Sequence, residues 1–305
     1  MPTGFRESRV GQEKRACFRF DIKIPFYIEQ QDAQRHCLHV HKEDLLDADQ
    51  LIRMMRLERA IDSLMRQPKY IENGGVELFE DIKFKLDFMA WMIEQILQGG
   101  DNLCGTDYET KLSHFYKLKV DFNVEVPTLN PFLQALSNSL NGYIGELCDV
   151  IENAIQGKIF MYQKGHSKRF NAALYTRGMT QTAKQGNWIA KVSLLISKRL
   201  ACYEYLFYKL KEAYKDLSNH EAWPIDNVNM AEQGFAVHVE KRYQPDDRVW
   251  CLFKMDDRFV FVQARCVYQR EGIGAKRTAF EIEHISAEDE AFLICHLRAK
   301  ELQYR

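Results

Sequence analysis

Net charge is nearly absent from this 305-residue chain: 42 lysines and arginines oppose 43 aspartates and glutamates. A chain so balanced has no overall attraction for nucleic acid polymers or anionic membranes, so any anion site has to be built locally. Long apolar runs are missing too. No 18-residue stretch reads as a membrane span, and Met1 to Lys14 is polar where a secretory leader needs an apolar core. CxxC pairs are absent. The eight cysteines (Cys17, Cys37, Cys104, Cys148, Cys202, Cys251, Cys266 and Cys295) mostly sit in apolar settings such as VWCLF and ARCVY. They read as buried free thiols of a reducing compartment, and hence a cytoplasmic protein, rather than as disulfides or a metal site. Proline is scarce, and none occurs between Pro131 and Pro224, which leaves room for long helices. A hydrophobic content of 46% with 28% charged residues excludes collagen-like, low-complexity and fully disordered chains.

What is present changes character twice. Phe18, Phe20, Ile22, Ile24, Phe26 and Ile28 alternate with polar or outward residues, the period-2 signature of a strand, and His36 to His41 reads as a shorter second strand. From Leu45 to about Asn219 the spacing turns helical. It predicts helices over 49–66, 76–98, 106–119 and, after Pro131, 132–160, with Asn73-Gly74-Gly75 and Gly99-Gly100 as breaks. The most regular stretch is 189–217. Ile189, Ile196, Tyr203, Leu210 and Leu217 fall at heptad a positions, and Val192, Arg199, Leu206 and Ala213 at d. That pattern fits a core helix inside a bundle, or a seam for self-association or a protein partner.

Strands return after Pro224: Phe235–Val239, Val249–Met255, Phe259–Tyr268 and Thr278–Ile285. Asp256-Asp257 and Glu271 to Gly274 read as turns between them. Ser286 then caps a last helix over 287–302, with acidic Glu288 and Asp289 in its first turn. Neither β region is large enough to bury its own edges. The economical arrangement is two nested domains: 1–42 and 223–305 form one discontinuous β-barrel with a C-terminal helix, and 43–222 form an inserted all-α domain. The fold class is α+β.

Two short motifs flank the helical stretch. Arg15-Ala16-Cys17-Phe18-Arg19 is an RxxxR running straight into the first strand. Asn229 to Gly234 (Asn-Met-Ala-Glu-Gln-Gly) reads as a turn, with Gly234 supplying a positive φ, that leads into another strand. Either motif alone is common. Their arrangement resembles the PilZ family of bacterial cyclic di-GMP receptors. RxxxR comes first, then an alternating strand. The [Asp/Asn]-x-[Ser/Ala]-x-x-Gly motif follows, then GFAVHV, VWCLFKM, FVFVQARCVY and the AFEIEHIS tail with its amphipathic helix. The likeness covers about residues 9–30 and 225–302. It implies a six-stranded antiparallel PilZ-like barrel, here an atypical member carrying a large helical insertion.

The resemblance also implies a ligand and a site. Cyclic di-GMP has two phosphates and two guanines. A guanidinium fork can grip phosphate oxygens, pair with guanine O6 and N7, or stack on the base. Arg15 and Arg19 would be those residues, with Arg9 and Lys14 extending a basic entry arm that also contains Arg6. Asn229 would accept from guanine N–H groups, and Ala231 and Gly234 would complete the turn. Ala231 stands where the family usually has serine, which removes one hydroxyl and about 1 kcal/mol. Asn229 stands where aspartate is common, and Glu232 adds an anion near an anionic ligand. The expected protein is a non-enzymatic second-messenger receptor of the kind that governs motility or biofilm formation. It would have no cofactor beyond its ligand, no nucleic acid partner and no membrane insertion, and its output would run through the helical domain. The alternative is a degenerate barrel that binds no nucleotide and associates through 189–217; Ala231 and Glu232 point that way, while the intact RxxxR points back.

Other constellations carry less chemistry. His36, His39 and His41 lack the third and fourth ligands of a metal site and read as an exposed strand end. Gly272 to Lys276 has neither P-loop nor dinucleotide spacing. Phe88-Met89-Ala90-Trp91-Met92 reads as helix core, and no catalytic motif stands out.

Overall fold

The computed structural model describes residues 19–31, 40–67, 76–100, 103, 105–118, 129–155, 159–162, 170–171, 173–270 and 276–304. The chain divides into two compact units, residues 1–35 with 221–305, and residues 36–220.

In the first unit, β1 (Phe20–Gln30), β2 (Ile225–Ala231), β3 (Gly234–Val239), β4 (Arg248–Met255), β5 (Arg258–Arg270) and β6 (Lys276–Ile285) form a closed antiparallel barrel. Their order around it is β1-β2-β3-β6-β5-β4. Closure leaves no edge strand unpaired. Alternation on β1 sends Ile22, Ile24 and Phe26 inward, where they meet Val228, Met230, Phe235, Phe253 and Val262 in one buried core. Pro25, which has no N–H to give, sits where β1 passes from pairing with β2 (Pro25↔Ile225) to pairing with β4 (Phe26↔Phe253). Two-residue turns join β2 to β3 and β4 to β5. In the second, Asp256 takes the left-handed φ of 51° that the hairpin requires. α9 (Ala287–Tyr304) follows, its N-terminus capped by the Ser286 hydroxyl, which accepts from Asp289 N at 3.0 Å. Leu293 and Leu297 of α9 are buried in the barrel core, and Arg258 ties its first turn to β5 through Glu288 (3.0 Å) and Asp289 (2.8 Å).

In the second unit, α1 (Lys42–Leu45), α2 (Ala48–Met65), α3 (Val76–Leu97), α4 (Thr106–Lys117), α5 (Asn130–Glu152), α6 (Ala173–Lys184), α7 (Trp188–Ala213) and α8 (Lys215–Ser218) follow in chain order. α7 packs on α2 and α6, and α3 on α5. The Asp47 side chain caps α2 by accepting from Gln50 N, and Asn187 caps α7 by accepting from Ala190 N. Arg199, the charged residue in the heptad pattern, is 3% exposed. Its guanidinium pairs with Asp87 of α3 and with Glu58 of α2 at 3.1 Å, so one buried cation ties three helices together.

Several expectations need correction. The sixth strand of the barrel is Ile225–Ala231. The segment expected as a strand at 36–41 falls largely outside the described residues, and its last member, His41, is the N-cap of α1. Helix α5 stops at Glu152 instead of running to 160; beyond it Ile155 and Ile159 form an isolated antiparallel bridge. The stretch 189–217 breaks at Tyr214 into α7 and α8. Most of its a and d residues, Ile189, Val192, Ile196, Tyr203, Leu206 and Leu210 among them, are buried within this chain, with Ile196 and Leu206 at 0% exposure, while Ala213 is exposed. Most of the row therefore serves the helical core. Helix α6 was not read from the sequence as a separate element.

Candidate functional site

The first half of the RxxxR motif lies outside the described residues, as do Arg9 and Lys14. Arg19 is described: it is exposed and directly precedes β1. The second motif is a β-hairpin and not a free turn. Asn229 and Ala231 belong to the end of β2, Glu232 and Gln233 make the turn, and Gly234 opens β3. The two motifs meet through the β1–β2 ladder. Phe20 pairs with Met230 and Asp21 with Asn229. One step back along β1 is Arg19, and one step on along β2 is Ala231, so both reach the same end of the barrel wall.

Side-chain directions follow from the pleat. With Ile22, Val228 and Met230 buried in the core, Asp21 and Asn229 face outward. The Asn229 amide Nδ2 donates to Asp21 Oδ1 at 2.8 Å. Ala231 is 5% exposed and presents only a methyl group, so its contribution to a ligand is limited to backbone atoms.

Gly234 is explained differently from the sequence expectation. It is not among the residues with positive φ. Its missing side chain answers a close approach: a Cβ there would lie 2.6 Å from the Phe280 carbonyl oxygen of β6. The reason is the tight β3–β6 contact, where Gly234 pairs with Glu281 and Ile282 N donates to the Gln233 carbonyl at 3.0 Å.

The wall beside the hairpin is rich in charge. Glu281 faces out from β6 and is held by Arg265 of β5, which contacts Glu281 and Asp246 at 2.5 Å each and Glu283 at 3.3 Å. Arg248 of β4 reaches Glu283 at 2.9 Å. Hydrogen bonds to Asp246 and Glu281 raise the Arg265 pKa, keeping it a permanent cation inside a carboxylate cage. Around the hairpin, Asp21, Glu232 and Glu281 supply acceptors, and Arg19 is the cation that leads into β1.

The sequence reading missed Asp21 and the Arg265 cage. Asp21 carried a usable signal, because alternation puts it on the outward face of β1, but only the register reveals that it opposes Asn229. Arg265 and Glu281 are direct partners on the β5–β6 ladder, whose register shifts on both sides of that pair, and no local pattern announces that they meet.

Elsewhere, a cleft of about 220 Å³ lies between α1–α2 and α7, with Leu46, Met54 and Cys202 in its wall and Arg53 and Tyr205 beside them. Burial pushes the Cys202 thiol pKa up, partly offset by the Arg53 charge. Lys85 of α3, 4% exposed, donates to Ser137 Oγ of α5 at 3.1 Å. Burial lowers its pKa, and Asp81 partly opposes the shift. Among the described residues no group of three or more His, Cys, Asp or Glu side chains is arranged to hold a metal ion. His36 and His39 lie outside those residues. Of the cysteines, Cys148, Cys251 and Cys266 are buried free thiols, Cys202 is half-buried and Cys295 is exposed, while Cys17, Cys37 and Cys104 lie outside the described residues. Among the described residues no helix is long and apolar enough to cross a membrane. No family model, no curated protein and no solved structure matches this chain.

Proposed function

We propose that this chain is a non-enzymatic cytoplasmic receptor for cyclic di-GMP, an atypical PilZ-like barrel whose helical stretch is an insertion that carries the output. The observation that supports this reading best is the β1–β2 register. Residues at least 210 positions apart, Arg19 on one side and Asn229 to Gly234 on the other, converge on one end of one barrel wall. The division of labour suits a cyclic dinucleotide. Arg15 and Arg19, helped by Arg9 and Lys14, take the phosphates and stack on or pair with the bases. Asn229 accepts from guanine, and the backbone around Ala231 and Gly234 lets the ligand lie close to the sheet. Binding draws the entry arm onto the hairpin, and the displacement is passed to the helical unit.

The competing reading, a barrel that binds nothing and associates through 189–217, has its support in Ala231 and in the acidic neighbours of the hairpin. It is weakened by the burial of Ile196 and Leu206 inside the chain. Calorimetric titration of the full chain with cyclic di-GMP decides between them. The receptor reading expects saturable heat that is lost when Arg15 and Arg19 are both changed to alanine. No heat and no thermal shift at micromolar ligand would overturn it.

A further inference from the structure

We propose that Asp21 is a positioning residue that makes this site select guanine over adenine, by holding the Asn229 amide with its oxygen toward the ligand. The inference rests on the cyclic di-GMP reading above and adds to it the origin of base specificity. Asp21 and Asn229 are directly opposed across the β1–β2 ladder, both on the outward face. A carboxylate can only accept hydrogen bonds, whereas an amide has a donating and an accepting end. At 2.8 Å from Asp21 Oδ1, only the Nδ2 end of Asn229 is tolerated; the flipped amide would set oxygen against oxygen. The neighbour across the other side of β2 is Ala236, which has no polar side-chain atom to favour the flip. Asp21 is the side-chain hydrogen-bond partner of Asn229 among the described residues, so Oδ1 is left as an oriented acceptor.

That acceptor discriminates between purines by simple chemistry. The Watson–Crick edge of guanine presents two adjacent donors, N1–H and N2–H₂. Adenine presents one donor, N6–H₂, next to the bare N1 acceptor. An oxygen fixed outward pairs with the first edge and opposes the lone pair of the second, and an unmade bond at a fixed polar group is where discrimination comes from. Were Asn229 free to turn, its NH₂ could meet adenine N1 as readily as its oxygen meets guanine, and the selectivity would fade.

The test compares the full chain with Asp21→Ala, Asp21→Asn and Asn229→Ala, each titrated with cyclic di-GMP and with cyclic di-AMP. The Asn229 side-chain amide is also followed by ¹H–¹⁵N spectroscopy without ligand. The unaltered chain is expected to prefer cyclic di-GMP. Asp21→Ala is expected to lose about tenfold in that preference and to shift the Asn229 amide resonances. Asp21→Asn keeps size and pairing but can accept or donate, so both Asn229 orientations are satisfied. A purely structural role would be rescued by Asp21→Asn; a positioning role is not, and the preference falls there too. In the Asn229→Ala background, changing Asp21 is expected to have no further effect on the ratio. If the Asp21 variants bind cyclic di-GMP with the original preference, the inference fails while the receptor reading stands. If the unaltered chain binds neither nucleotide, both fail together.

Discussion

Gly234 is glycine because of a distance. A methyl group there would meet the Phe280 carbonyl oxygen at 2.6 Å, and a backbone oxygen in a paired strand has little room to withdraw. Gly234→Ala should cost about 1–3 kcal/mol, read as a drop in Tm with faster amide exchange in β3 and β6. Lys85 is constrained by burial instead. Its pKa is held below the ordinary lysine value because the charged amine is desolvated, so the unfolded chain binds that proton more tightly than the folded one. Stability from this group therefore rises with pH between the lowered folded pKa and the unfolded one. Comparing Lys85→Met with Lys85, both in a Ser137→Ala background so that no hydroxyl is orphaned, should show an advantage for methionine at neutral pH. That advantage should narrow as pH climbs toward about 10. Tyr203, pushed up to about 12 chiefly by burial, also makes stability pH-dependent above about 10, equally in both chains. Arg19, Asn229 and Gly234 were singled out in the sequence, and the strand register brings them to one end of the barrel wall. The reason for Gly234 was not legible, because the carbonyl that excludes a side chain comes from a strand 46 residues away. Asp21 was missed for the same reason, since pairing across 208 residues leaves no local trace.

Helix α9 and helix α7 show how single contacts decide an element's place. α9 carries a weak apolar stripe, yet Leu293 and Leu297 are nearly fully buried in the barrel core, and Asp289, 5% exposed, accepts from Arg258 at 2.8 Å. Arg258 also lies over the Phe292 ring, 5.1 Å from its centroid. Arg258→Ala leaves the buried Asp289 carboxylate without its cation and should lower Tm. Hydrogen exchange should then rise across α9 well before it rises in β4 and β5. On α7 the corresponding contact is Arg199, held between Asp87 and Glu58. Asp87→Ala should destabilise by about 2 kcal/mol, whereas Arg199→Met combined with Asp87→Ala should recover much of that loss, as replacing both partners of a buried pair does. Thermal unfolding of the single and double variants checks it. Element types were read well where periodicity was strong, as in β1, α2, α3 and the strands from Phe235 onward. They were read poorly where partners, not periodicity, set the boundary. α5 ends where Ile155 turns to bridge Ile159, and β2 looked like a turn because Asn227 and Asn229 give it polar outward positions and Asp226 interrupts its apolar face. The heptad pattern holds over α7, where most of its a and d residues are buried against the chain's own helices, but the helix breaks at Tyr214.

The whole molecule contains a closed barrel whose first strand is separated in the chain from the other five by a long helical stretch. Residues 20–25 pair with 225–230, so the barrel cannot close until the chain on either side of the helices comes together. This brings Arg19 and the Asn229 hairpin to one end of the barrel wall, where the proposed ligand would contact the chain on both sides of the helical stretch. Near-zero net charge conceals the asymmetry on which the reading depends: basic residues gather in the arm from Arg6 to Arg19, while the hairpin side presents Asp21, Asn229, Glu232 and Glu281. Salt should therefore weaken binding of the dianion, and the loss should be smaller in the Arg15→Ala variant, which has one cation fewer to screen. The central claim is that the ligand lies where these two sides meet, and a crystal structure of the full chain with cyclic di-GMP tests it most directly. The account predicts the nucleotide at the start of β1, with Arg15 and Arg19 on its phosphates or bases and a guanine edge against Asn229 Oδ1. A crystal saturated with cyclic di-GMP in which that end of the barrel is empty, or the nucleotide bound in the helical unit, would contradict it.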